Sequence, residues 1–130
     1  GEQEKKITTK KDILRMCEDD ESKINEQFFT RGKSKYQSKY TSTVLGHYCR
    51  KRDKEGITIA LEMGADPNGR DSEDLTCADL LLIGSFKPKL VKKIMRKFSE
   101  VLGDKKIQVH RNVAEVYYGD YEQVEVELLD

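Results

Sequence analysis

The residues able to do acid/base, nucleophilic or metal chemistry are few and widely spaced. The two histidines, His47 and His110, lie far from each other, and neither stands at a metal-ligand spacing from a cysteine. The three cysteines, Cys17, Cys49 and Cys77, are too scattered for a disulfide framework, so we expect reduced thiols that serve as small packing residues. We therefore expect a protein that is not an enzyme and that uses no metal or cofactor.

Two further patterns that resemble chemical sites have simpler explanations. Gly32-Lys33-Ser34 matches the end of a phosphate-binding loop, but the upstream glycine of that motif is replaced by Gln27, which favours a polar loop. The carboxylate pairs Asp19-Asp20 and Glu73-Asp74 are predicted to lie in exposed loops. Acids in such loops are usually solvated.

The charge composition narrows the classes of partner. The chain of 130 residues carries 24 Lys and Arg against 24 Asp and Glu, a net charge of zero, which disfavours nucleic acid and anionic membranes. With no long apolar run and no disulfide framework, we expect a cytoplasmic or nuclear protein. Because the chain begins at Gly1 without a methionine, we expect a piece of something larger.

The neutral total conceals alternating blocks of charge. Segments 1–30, 31–54, 55–86, 87–111 and 112–130 carry −2, +7, −6, +7 and −6. The sign alternates at intervals of roughly 25 to 30 residues, close to the length of a helix-pair repeat, so neighbouring units are predicted to present opposite signs.

Apolar spacing typical of amphipathic helices recurs along most of the chain and predicts one all-α domain. Thr43 and Thr76, 33 residues apart, each precede an apolar helical pattern, and Pro88 suits the first turn of a helix. The predicted units are a degenerate or capping helix pair at 9–32, a polar basic loop at 33–42, a repeat at 43–75, a repeat with a longer second helix at 76–110 and a partial or C-terminal repeat at 111–130.

The run Ala60-Leu61-Glu62-Met63-Gly64-Ala65-Asp66-Pro67-Asn68, together with Thr43-Val44-Leu45, resembles an ankyrin repeat. The 33-residue interval from Thr43 to Thr76 is the ankyrin period. The family signature Thr-Pro-Leu-His is altered in both units, because its Pro and His are Val44 and Gly46 in one, and Cys77 and Asp79 in the other. The resemblance implies a divergent helix-pair solenoid of three to four repeats.

The last 25 residues allow two interpretations. One interpretation is the junction and second helix of another repeat unit, which Gly119-Asp120-Tyr121-Glu122-Gln123-Val124 with Leu128-Leu129 resembles. The first helix of that unit would be Val113 to Tyr118, capped by Asn112. Alternation of apolar and polar residues in Lys106 to His110 and in Gln123 to Glu127 instead favours a β-hairpin. We favour the helix.

The ankyrin resemblance implies that partners bind the inter-repeat loops and the concave face of the first helices. The residues that this reading assigns to the binding surface are Tyr36, Lys39 and Tyr40 in the first loop, Arg70, Asp71, Glu73 and Asp74 in the second, and His47, Arg50, Lys51 and Asp79 on first helices. Tyrosines among basic side chains suit an acidic segment, so we predict another protein or peptide, acidic or charge-patterned, as the partner.

Two alternatives remain at this point. The two +7 blocks, with Tyr36 and Tyr40 as stacking rings, are typical of a nucleic-acid contact. An apolar terminal edge of Val124, Leu128 and Leu129 would instead favour self-association into a homo-oligomer.

Overall fold

The N-terminal part contains one short α-helix. The computed structural model describes residues 6–29, 39–83, 87–117 and 124–130. Helix α1 (Lys10–Met16) begins with a capping box in which Thr9 and Asp12 bond each other's backbone amides. A 3₁₀ turn (Glu21–Lys23) follows, so the helix pair predicted for 9–32 is wrong in its second member. Asp20 caps the start of that turn by accepting the amide of Ser22 at 3.1 Å.

Strand β1 (Phe28–Phe29) pairs antiparallel with strand β2 (Thr41–Ser42). The predicted loop at 33–42 therefore ends in a strand, and its residues up to 38 lie outside the described part of the chain.

Two helix pairs form the middle of the protein, where the sequence pattern predicts them. The first pair is α2 (Val44–Lys51) and α3 (Lys54–Glu62), and the second is α4 (Cys77–Leu82) and α5 (Pro88–Leu102). Helix α2 packs against α3 within its pair and against α4 in the next pair. Helix α1 packs against α3.

The ends of these helices follow from their sequences. Thr43 and Thr76 cap α2 and α4 by accepting hydrogen bonds from the amides of Gly46 and Asp79, at 3.0 and 3.1 Å. Beyond α3 the chain turns at Gly64, whose φ of +95° falls in the left-handed region that favours glycine. The local signals for helix limits are thus satisfied in the folded chain.

The C-terminal part combines a helix with two strands. Strand β3 (Ile107–His110) leads directly into α6 (Arg111–Tyr117), and strand β4 (Val126–Leu129) pairs parallel with β3. The predicted second helix is therefore wrong. The alternating pattern does mark strands, but the hairpin is wrong as well, because α6 carries the chain back so that β4 runs in the same direction as β3.

The fold is thus mostly helical with two small two-stranded sheets in the described residues, so the all-α prediction holds only in part. One core joins the helix pairs to β3, and its largest fully buried side chains include Phe98, Leu81 and Ile107. Cys17, Cys49 and Cys77 are free and buried in this core. No helix in the described ranges combines the length and apolarity needed to cross a membrane.

Candidate partner-binding surface

Three of the predicted binding residues, Tyr40, Arg50 and Asp71, form one cluster. The Arg50 guanidinium lies 4.5 Å above the centre of the Tyr40 ring. Its Nη2 is 3.9 Å from Asp71 Oδ2, which is an ion-pair distance rather than a hydrogen bond. About half of the Arg50 side chain, 52%, remains exposed. Stacking and charge therefore orient this guanidinium while leaving it open to solvent.

Asp71 is the buried member of this cluster, and hydrogen bonds hold its carboxylate in place. Its side chain is fully buried, and Oδ1 accepts hydrogen bonds from the amides of Glu73 and Leu75, both at 2.9 Å. Its Oδ2 accepts the Tyr40 hydroxyl at 2.6 Å. Burial, with the hydrogen bond to Asp71, raises the pKa of Tyr40. The sequence placed Asp71 in an exposed loop, whereas the loop folds around it because its carboxylate is the acceptor that the loop amides need.

The loop that holds Asp71 also carries a second charged pair. Arg70 pairs with Asp74 at 2.8 Å, and this hydrogen bond lowers the pKa of Asp74. Arg70 also lies 3.4 Å from the Gln108 side chain on β3. Glu73 is exposed beside this pair. The surface next to Arg50 thus alternates in sign.

Asp79 is not a surface residue. Its side chain is fully buried, and Oδ2 accepts the amide of Thr76 at 2.9 Å to complete a capping box. The same carboxylate contacts His110, with Oδ1 2.9 Å from the His110 amide and Oδ2 2.5 Å from Nδ1. His110 Nε2 lies 3.4 Å from Asp74. Asp79 therefore holds β3 against α4. The prediction that Asp79 lies on the exposed binding surface is wrong.

The remaining predicted residues divide between exposed and partly buried positions. Lys39 and Lys51 are exposed. His47, predicted on the outer side of α2, is partly buried, with its ring 5.9 Å from Phe28 and 5.1 Å from Tyr48. This burial lowers the pKa of His47 to about 4. Tyr36 lies outside the described residues.

The expected open face of the first helices is largely closed. Every residue of α4 is buried, because β3 and α6 as well as α2 and α5 pack against it. The exposed first-helix side chains are those of Arg50 and Lys51 on α2. The candidate surface is therefore confined to one set of neighbouring residues, which we term the Arg50 surface: Lys39, Tyr40, Arg50, Asp71, Glu73 and Asp74.

Polar residues not singled out from the sequence align the loops of this surface. Gln27 donates to the carbonyl of Arg70 at 2.8 Å and accepts the Thr41 hydroxyl at 2.7 Å. Ser72 bonds Thr41 through its amide, at 2.9 Å, and its hydroxyl, at 3.0 Å. These contacts join segments that are distant in sequence, so no local pattern identifies them. For Asp79 the sequence does hold a local signal of a structural role, the capping pattern Thr76-x-x-Asp79, which the assignment to the binding surface overlooked.

The chemistry that this arrangement supports is recognition by charge and hydrogen bonding. Within the described ranges, no group of three or more His, Cys, Asp or Glu side chains is placed to hold a metal ion. Comparisons with protein-family models, with curated proteins and with solved structures gave no match to this chain.

Proposed function

We propose that this chain is a protein-interaction module built on divergent ankyrin-like helix-pair repeats. The two predicted central repeats begin alike. Thr43 and Thr76 have nearly the same backbone angles, with φ of −77° and −79° and ψ of 162° and 165°, and both cap the helix that follows. Side-by-side packing of α2 and α4 agrees with stacking of repeated units.

A repeated contact between segments also supports this scaffold. Asn25 donates to the carbonyl of Gly64 at 3.1 Å and accepts the amide of Asp66 at 2.7 Å. Asn68 makes the same pair of bonds to Lys106, at 3.0 Å, and Gln108, at 2.9 Å. An asparagine that bonds a carbonyl and the amide two residues later thus links successive units twice.

The observation that carries the binding function is the half-exposed side chain of Arg50, whose guanidinium is held over Tyr40 beside buried Asp71. Arginine is enriched among residues that dominate binding energy, and an oriented guanidinium loses little freedom when it binds a carboxylate. The group that Arg50 binds is therefore an acidic side chain of a partner protein. Lys39 adds positive charge nearby, whereas Glu73 and Asp74 favour a basic residue farther along the same partner.

The test is selection of peptides on the intact chain. A random-peptide library is panned on the wild-type protein, and the affinities of enriched peptides are measured by calorimetry. We expect enriched peptides to share an acidic residue, and the Arg50→Ala variant to bind them at least about tenfold more weakly, as for a central interface arginine.

Arg111→Ala is the matched control, because the Arg111 side chain is also 52% exposed and pairs with a carboxylate, Asp130. We expect this variant to bind the peptides as the wild type does. Equal affinity of the wild type and Arg50→Ala, or an equal loss in both variants, would remove the Arg50 surface as the binding site.

The two alternatives have less support from the same geometry. A nucleic-acid contact needs an open ring, but Arg50 covers a face of Tyr40 and Asp71 holds its hydroxyl. Self-association through the terminal edge needs exposed apolar side chains. Val124 is buried and Leu129 partly buried, which leaves Leu128, 41% exposed, as the open member of that edge.

A further inference from the structure

Acidic and basic residues are distributed unequally between two opposite edges of the fold. The first is the turn edge, comprising residues 6–9, 51–55, 83 and 87–89. Thr8 bonds Asp53 at 2.5 Å, and Arg52 bonds the carbonyl of Ile83, so the start of α1 and the turns that end α2 and α4 lie side by side. The second is the loop edge, comprising segments 17–26, 64–76 and 104–110, which Asn25 and Asn68 join.

These edges differ in sign. The described residues of the turn edge hold six Lys and Arg side chains and two carboxylates, whereas the loop edge holds four and ten. The net charge of the described residues is therefore +4 on the turn edge and −6 on the loop edge.

Part of the positive charge on the turn edge has no ion-pair partner among the described residues. Lys51, Lys54 and Lys89 are exposed and make no ion pair within the described part of the chain. Of the two carboxylates, Asp53 already accepts the Thr8 hydroxyl and the Gly56 amide. Several acids of the loop edge, by contrast, have partners, such as Asp74 with Arg70 and Glu18 with Lys23.

Exposed apolar side chains lie on the same basic edge. Ile7 is 68% exposed and Ile83 is 36% exposed. Ile7 directly precedes Thr8, and the carbonyl of Ile83 accepts the Arg52 side chain, so each isoleucine is next to a contact that defines the edge. Lysines beside exposed apolar residues are the combination that binds anionic lipid, by charge at the headgroups and insertion between them.

We propose that the turn edge binds the surface of an anionic membrane. The zero net charge does not oppose this. Helix α3, with nine residues, spans about 13 Å between the two edges. Because the Debye length at physiological ionic strength is about 8 Å, the acidic edge is screened from the lipid.

Lipid suits this edge better than other anionic partners. Lysine is depleted in protein interfaces, and its compact, strongly hydrated charge favours diffuse attraction over bidentate recognition. The described residues of the edge contain no aromatic ring on which a nucleic-acid base would stack.

The test is co-sedimentation of the full chain with phosphatidylcholine vesicles with and without phosphatidylserine. We expect binding that requires phosphatidylserine and weakens as salt rises. Each lysine near an anionic surface raises partitioning about fivefold, so the Lys54→Gln/Lys89→Gln variant is expected to partition about 25-fold more weakly. The Ile7→Ser variant is expected to bind more weakly at every salt concentration.

The control variant is Lys23→Gln/Lys105→Gln, which removes the same charge from the loop edge and is expected to bind vesicles as the wild type does. Circular dichroism checks that each variant is folded. Binding without phosphatidylserine, an equal loss in both double variants, or tighter binding to polyuridylate or polyglutamate than to the vesicles would each overturn the proposal.

Discussion

His47 should make the stability of the fold depend on pH. Its imidazole is partly buried between Phe28 and Tyr48, and burial lowers its pKa from 6.5 to about 4, with Lys51 and Arg50 acting in the same direction. Below pH 6.5 the unfolded chain therefore binds a proton that the folded chain does not. Stability from this residue is fully present above pH 6.5 and falls as the pH decreases towards 4.

The size of this effect follows from the two pKa values. One pKa unit corresponds to about 1.4 kcal/mol, so the difference between 6.5 and about 4 corresponds to about 3 kcal/mol at acidic pH. At about pH 5, where the folded imidazole is still neutral, the expected loss in the free energy of unfolding is about 2 kcal/mol. Carboxylates also titrate over part of this range, so a reference variant is needed.

The reference is His47→Gln, which removes the titrating group and leaves all the carboxylates in place. Urea unfolding of both proteins at a series of pH values from about 8 to about 5 gives the two free-energy curves. We expect the wild type to lose about 2 kcal/mol more than the variant over this range. Parallel curves would contradict a lowered pKa of His47, because they would mean that its imidazole is protonated as readily in the folded chain as in the unfolded one.

Three further substitutions test the packing and the loop contacts by urea unfolding. Gly56→Ala would place a Cβ 2.4 Å from the Tyr48 ring, and we expect a loss of about 2 kcal/mol; an unchanged midpoint would mean that the ring moves freely. Asp71→Ala removes a buried acceptor of three hydrogen bonds and should cost about 3 kcal/mol, whereas Glu73→Ala should cost almost nothing, and similar costs would contradict the burial of Asp71. Thr76→Ala removes both the helix cap and the bond to the Gln108 carbonyl, so a loss of about 1 to 2 kcal/mol is expected and a neutral result would contradict it.

The central helices were predictable because their signals are local. Thr43 and Thr76 as caps, Pro88 in a first turn and Gly64 after a helix each act through the backbone of their own segment. Their 33-residue interval is also visible without a structure.

The C-terminal strands were only half predictable. Alternation in Lys106 to His110 and Gln123 to Glu127 marks extended backbone, but the direction of pairing depends on α6, which returns the chain so that β4 lies parallel to β3. The ankyrin resemblance favoured a helix there, and pairing with β3 overrides that local tendency.

The site was predictable in its residue types and not in its burial. Tyr40, Arg50 and Asp71 meet as a cluster, but nothing in the sequence tells that Asp71 is the buried member and Arg50 the exposed one. The contact of His110 with Asp79 joins residues 31 positions apart, and no spacing rule predicts it. Long-range hydrogen bonds decide which of the predicted residues a partner can reach.

The most direct test of the proposed function is amide chemical-shift mapping with a peptide selected on the intact chain. The isotope-labelled protein is titrated with that peptide, and the shift of each backbone amide is followed. We expect the largest changes to cluster at residues 39–50 and 70–75, around Arg50, and to disappear in Arg50→Ala. Changes concentrated on the turn edge or on residues 111–130, with no change in the amide shifts around Arg50, would contradict the proposed function.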